Sequence, residues 1–206
     1  FDFIVATNFM AQNNNLIEII KSIKLLLNKK GLIIIEVQYL YDLLKQKGFD
    51  SFHHEHIAYY TASSITRLLK EFKIFVFHAE KLKVHGGMLR VYASLNKKKH
   101  STGFKKILKS ENDKNLINSI KKLNYFKNRF DKKLKKFITN LKRKNKKIYA
   151  IGAAPRACVL LNSSNLSAKE INLVGEVSDS LKCNKYVPGT DIILKDENKI
   201  ISDKPD

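Results

Sequence analysis

Three of the chain's six histidines fall within four residues, in the run Phe49-Asp50-Ser51-Phe52-His53-His54-Glu55-His56-Ile57-Ala58-Tyr59-Tyr60. Imidazole titrates near neutrality, so it takes or gives a proton at physiological pH. A neighbouring carboxylate favours the imidazolium form and orients the ring. Isolated histidines usually serve structure; three beside Glu55 point to a site, because perturbed titratable groups cluster at functional centres. Two chemistries fit the local pattern, general acid–base catalysis and metal binding. Metal is the weaker of the two. Helical zinc motifs set two histidines at i and i+4 on one face, with a third ligand elsewhere. His53, His54 and His56 would point in different directions on a helix. On a strand His54 and His56 share a face with Glu55 opposite, and no cysteine lies nearby. No metal ligand is therefore assigned.

The run resembles the F-D-x-I-Y-H-E-H-x-x-Y-F-S motif of the S-adenosylmethionine-dependent sugar C-methyltransferases, enzymes that place a methyl group on a carbon of a nucleotide-linked keto-sugar. Three further segments resemble that family in the right order. Val84-His85-Gly86-Gly87-Met88-Leu89-Arg90-Val91-Tyr92 is similar to its H-G-G-S-L-R-V. Ile151-Gly152-Ala153-Ala154-Pro155-Arg156-Ala157-Cys158-Val159-Leu160-Leu161-Asn162 is similar to its G-A-x-x-[KR]-G-x-T-L-L-N. Tyr186-Val187-Pro188-Gly189-Thr190 is similar to its Y-x-P-G-T. Near the start, Asn8 matches the second Asn of the family's [IV]-x-A-N-N-V-x-A-H, and Glu36 and Tyr39 fit its E-x-P-Y-L. The sequence departs from the family at Gln12, where a His stands, at Gln38 for Pro, and at His53 for the Tyr before H-E-H.

The resemblance implies roles. Glu55 and His56 become the general base, with His54 flanking, and they remove a proton from the carbon beside a sugar ketone so that the enolate attacks a sulfonium methyl. Asn8 is the expected cofactor contact. His85, Gly86, Gly87, Arg90, Tyr59, Gly152 and Arg156 are the expected substrate contacts. For several of these the residues alone leave a plainer alternative: Asn8 as a turn former, the paired glycines as a simple hairpin, Tyr59 as core, and Arg90 as a stem buried by strand alternation. S-adenosylmethionine is the implied cofactor and a nucleotide-sugar the implied partner. Zinc belongs only to a four-cysteine module that precedes this region in the family.

These residues need a scaffold. Residues 3–6 read as a short buried strand, residues 16–27 have apolar positions at helical spacing, and residues 32–37 are an apolar, β-branched run. Strand, helix and strand in that order form a parallel βαβ unit, in which ligands collect past the carboxyl ends of the strands, where Asn8 falls. A short helix at 39–47, stopped by Gly48, leads to the histidine run, expected as a loop over the sheet edge. Ser63 or Ser64 is the expected cap of a helix reaching residue 72. Strands follow at 74–78 and 89–92, joined through His85-Gly86-Gly87. Residues 96–147 are rich in lysine, with apolar residues recurring at three and four, which predicts one long amphipathic helix with a break near Asn124 or Asn128. A strand at 148–151, the Gly152-Ala153-Ala154 turn, a helix at 157–161, and strands at 172–177 and 191–194 complete the pattern.

The expected fold class is α/β. Residues 1–95 form the rear half of a class I, Rossmann-like methyltransferase domain, residues 96–147 a basic helical connector, and residues 148–206 a partial Rossmann-like substrate-binding domain. The glycine-rich turn and ribose-binding acidic residue of a complete cofactor domain are not in the sequence. The chain starts without Met directly in a strand, so it is expected to be a fragment, inactive by itself. The net charge of +20, from 39 Lys+Arg against 19 Asp+Glu, fits an anionic partner or a lysine-rich solvated face; the scattering of lysines between apolar residues favours the face. A basic nucleic-acid-binding module and an inactive, degenerate methyltransferase are the alternative readings. Cys158 and Cys183 are too few and too far apart for a disulfide framework, which fits a reducing cytoplasm. No apolar run approaches the about 18 residues that cross a membrane, so no membrane partner is assigned.

Overall fold

The apolar run at 32–37 builds the central strand of the first sheet. The computed structural model describes residues 1–111 and 113–206. Strand β1 (Phe3–Thr7), helix α1 (Leu16–Leu26) and strand β2 (Leu32–Gln38) form the expected βαβ unit. The two strands pair in parallel from Phe3↔Leu32 to Thr7↔Glu36. Alternation along β2 sends Ile33, Ile35 and Val37 to one face, all fully buried, and leaves Ile34 and Glu36 half-buried on the other. Each such isoleucine contributes about 2 kcal/mol by leaving water. Ile20 and Ile23 of α1 are buried in the same core.

Helix α2 (Leu40–Lys45) follows, and after it a single 3-10 turn at Phe49–Ser51. Helix α3 (Ala62–Glu71) buries Ala62, Ile65 and Leu69. Its cap is Thr61 rather than either expected serine. The Thr61 hydroxyl accepts from the Ser64 amide while the Ser64 hydroxyl accepts from the Thr61 amide, a reciprocal capping box that starts the helix earlier. Strands β3 (Phe75–Leu82) and β4 (Met88–Ser94) make an antiparallel hairpin, and β4 also pairs antiparallel with β2, giving the order β1-β2-β4-β3. β3 runs four residues beyond expectation because its outer residues stay paired with β4 as far as Leu82↔Met88. β1 has one strand neighbour, and Phe1, Phe3 and Val5 lie exposed along it.

The lysine-rich segment holds two helices where one was expected. Ser101 caps α4 (Thr102–Ser110) by accepting from the Phe104 amide, and Phe104 is fully buried. Helix α5 (Asp113–Arg143) then runs unbroken through Asn124 and Asn128. The second sheet is parallel, in the order β5 (Tyr149–Ile151), β6 (Leu173–Glu176), β7 (Ile193–Asp196), with α6 (Pro155–Ser163) after β5 and α7 (Glu197–Asp203) after β7. Val174, Leu194, Leu161 and Ile138 lie in its core. Asp131 of α5, almost wholly buried, accepts from the hydroxyls of Ser163 and Ser164 and from Lys127. Burial raises the Asp131 pKa, but those three donors outweigh it and hold the group below its ordinary value.

The chain divides into two compact units, Phe1–Gly48 with His54–Leu123, and Phe49–His53 with Asn124–Asp206. The α/β class read from the sequence is the class observed.

Candidate active site

In the first unit, three segments meet past the carboxyl ends of β1 and β2, where open parallel sheets collect ligands. The first follows β1. Asn8 takes a left-handed backbone (φ 53) and its amide donates to Glu36 O, so the chain turns out of the sheet with the Asn8 residue exposed. Gln12 is exposed on the turn that follows.

The second segment is the histidine run, and it is a loop, as expected. The amides of Ile57 and Ala58 both donate to Ala11 O, and the Tyr60 hydroxyl donates to Met10 O. Tyr60 also bridges Tyr39 at the end of β2. The loop is thus bound to the residues just after β1 and β2. His54 and Glu55 are exposed on its turn; His56 is half-buried, with its ring edge-on to Tyr59 at 6.0 Å between centroids. Tyr59 is half-buried and Tyr60 buried. The Glu55 carboxylate forms no ion pair among the described residues. His53, by contrast, falls in the second unit, so the run is divided between His53 and His54.

The third segment is the His85-Gly86-Gly87 turn between β3 and β4, with φ of 50, 82 and 104 in succession. The Tyr39 amide donates to Gly87 O at 3.1 Å and the Gln38 side chain to His85 O at 3.4 Å, which fixes the turn to the end of β2. A Cβ on Gly87 would lie 2.6 Å from Asp42 Cβ, whereas one on Gly86 would meet open space. Close packing and a left-handed backbone thus both demand glycine at 87.

Arg90 lies directly opposite Glu36 on one neighbouring strand and Glu80 on the other. It pairs with both carboxylates, and Glu80 also accepts from the Tyr92 hydroxyl at 2.7 Å. The Tyr92 bond first, and Arg90 after it, hold the Glu80 carboxyl below its ordinary range. The Arg90 charge is therefore already matched inside its own sheet.

Glu111 had no signal in the sequence. Its carboxylate accepts from the amides of Ala62 and Ser63, the free N-terminus of α3, and from the Tyr39 hydroxyl. Burial, and then the Glu111 charge, push the Tyr39 phenol well above its ordinary value, so it stays a hydrogen-bond donor. One carboxylate thereby ties the end of β2 to the helix that opens straight after the histidine loop.

In the second unit, Gly152 (φ 85) turns the chain out of β5 while its amide donates to Gly175 O on β6. The Ala153 amide and Lys182 donate to the Glu176 carboxylate at the end of β6. Pro155 occupies the first turn of α6, where its missing N–H costs nothing. Arg156 is exposed and grips Asp50 through Nε at 2.8 Å and a terminal nitrogen at 2.7 Å.

The first unit's edge offers imidazoles at a strand end with exposed polar neighbours, an arrangement suited to moving a proton. Among the described residues, no group of three or more His, Cys, Asp and Glu side chains is arranged to hold a metal ion, and no helix is long and apolar enough to cross a membrane.

Two family models match the chain, with a boundary that falls inside the first compact unit. Residues 83–206 match the family model of the C-methyltransferase C-terminal domain, and residues 1–73 match that of a methyltransferase domain. C-methyltransferase NovU of Streptomyces niveus is 25% identical over 193 residues, which cover 92% of this chain and 46% of that protein. The chain therefore spans about half the length of the curated relative it matches.

Proposed function

The chain belongs to the C-methyltransferase family, and from that premise we propose that the whole protein methylates a carbon beside the ketone of a nucleotide-linked keto-sugar, with S-adenosylmethionine as the donor. The observation that carries this reading is the double hydrogen bond from Ile57 and Ala58 to Ala11, which sets the histidine loop beside the strand end where Asn8 leaves the sheet. That cofactor, when bound, supplies an electrophilic methyl group. Asn8, exposed just past a parallel strand, fits one side of its site.

His56 takes the proton from the carbon beside the ketone. Its half-buried ring, packed against Tyr59, is held in place before the substrate arrives. Glu55 is the carboxylate that accompanies His56, and His54 flanks it on the exposed turn. Tyr59 and the His85-Gly86-Gly87 turn contact the sugar, while Arg90 acts through Glu36 and Glu80 to fix the strand ends. In the second unit, taken by itself, Gly152 and Arg156 bind the nucleotide, with a phosphate replacing Asp50 as the partner of Arg156. Functionally, residues 1–95 are the methyl-transfer portion, 96–147 the connector and 148–206 the substrate-binding portion. The two cysteines, both free, fit a cytoplasmic setting.

The test is to give the full-length protein methyl-labelled S-adenosylmethionine and a panel of nucleotide-linked keto-sugars. The label is expected on a carbon next to the carbonyl. Label on oxygen or nitrogen, or no transfer to any keto-sugar, overturns the reading.

A further inference from the structure

The first unit contains a cavity of about 460 Å³ that none of the candidate site residues lines. Tyr39 and Tyr41, with ring centroids 5.8 Å apart, are part of its wall. Tyr39 cannot swing away, because it is fully buried and its hydroxyl is held by Glu111. Four lysines line the same space, Lys45, Lys47, Lys81 and Lys122, against a single carboxylate, Asp42.

The charges are not equivalent. Lys81 is matched by Asp42 at 3.2 Å, and its ammonium sits 4.4 Å above the centre of the Tyr39 ring. That pair neutralises itself and fixes one side of the cavity. Lys45, in the last turn of α2, and Lys122, on α5, form no ion pair among the described residues. Both are exposed, and among the described residues Asp42 is the one carboxylate lining the space. Ligand sites typically enclose roughly 300–1,000 Å³ and combine an apolar wall with a few charged groups. A concave surface lined by charge of one sign also concentrates counter-ions of the other.

We propose that this cavity binds a diphosphate, with Lys45 and Lys122 as its ammonium contacts. The diphosphate is either free pyrophosphate or part of a nucleotide, in which case the ring lies against the wall at Tyr41. The cavity shares no lining residue with the histidine loop, so failure to bind a diphosphate would leave the methyl-transfer reading untouched, and loss of methyl transfer would not remove this site.

The experiment is calorimetric titration of the full chain with inorganic pyrophosphate and, separately, with adenosine 5′-diphosphate. Saturable binding is expected. The double variant Lys45→Ala/Lys122→Ala should weaken it about tenfold or more, the scale of one or two lost charge-assisted contacts. The control Lys105→Ala/Lys106→Ala removes the same charge from exposed positions on α4 outside the cavity, and binding should stay within about threefold, as exposed charges act weakly at a distance. Tighter binding of the nucleotide than of pyrophosphate assigns the wall at Tyr41 to a nucleoside; equal binding assigns the site to the free anion. Absence of saturable binding for both probes, or equal loss in the control variant, overturns the proposal.

Discussion

Each unit turns its chain out of a sheet on a left-handed glycine, and the two turns are held in different ways. At Gly87 the turn is wedged against α2, with no room for a Cβ beside Asp42, and its carbonyl is tied to the end of β2. At Gly152 the space is open, and the turn is held by its φ of 85 and by amide hydrogen bonds from Gly152 and Ala153 to β6. The first is rigid by packing, the second by backbone conformation and hydrogen bonds without close packing. The arginines differ likewise. Arg90 is shared between two carboxylates of its own sheet, whereas Arg156 is exposed with one acidic partner, Asp50. A packed edge suits a site that must hold a base in register with a carbon. An open edge suits a surface that exchanges a protein carboxylate for a ligand anion.

The contrast can be broken by substitution. Gly87→Ala should cost about 3 kcal/mol or more, since a Cβ at 2.6 Å adds a steric clash to a left-handed backbone; chemical denaturation of the full chain measures it. Asp131→Ala should cost about 2 kcal/mol, because two serine hydroxyls and Lys127 lose a buried acceptor. Hydrogen exchange should show that loss in α6 and β6 while the amides of β2 and β4 stay protected. Gly152→Ala should cost only about 1 kcal/mol, from the left-handed backbone alone. If Gly152→Ala proves as damaging as Gly87→Ala, the distinction between the two edges fails.

Asp131 also sets a pH dependence with a definite sign. Its folded pKa lies below the ordinary 3.8, so the unfolded chain binds the proton more readily. The stabilisation is complete above that ordinary value and disappears as pH falls through the lower folded one. Acid unfolding should therefore shift in Asp131→Asn, with wild type and variant converging at the acid end.

Much of the frame was legible because it rests on local pattern. The run at 32–37 announced β2, and the helical spacing at 16–27 announced α1. The Gly-Gly pair announced the hairpin turn, although β3 continued past its expected end. What was not legible depends on partners distant in sequence. Glu111 reaches residues 48 to 72 positions away, and nothing in its neighbours marks it. The commitment of Arg90 follows from strand register, which only the folded β2-β4-β3 pairing reveals. The lysine-rich segment read as one helix on its apolar spacing from 116 to 141, and the Ser101 cap that starts a separate α4 shows only once Phe104 is seen in the core. The histidine run read as a single site, yet its chain divides between two units at His53 and His54.

The proposed role of His56 is to remove a proton beside a ketone. It is tested most directly by following deuterium from solvent into the carbon next to the carbonyl of a nucleotide-linked keto-sugar bound to the full-length protein. The wild type should exchange that position, and His56→Ala should slow the exchange about 10²- to 10⁴-fold, the usual worth of a positioned base. Exchange at the wild-type rate in His56→Ala would contradict the account and move the base to another residue.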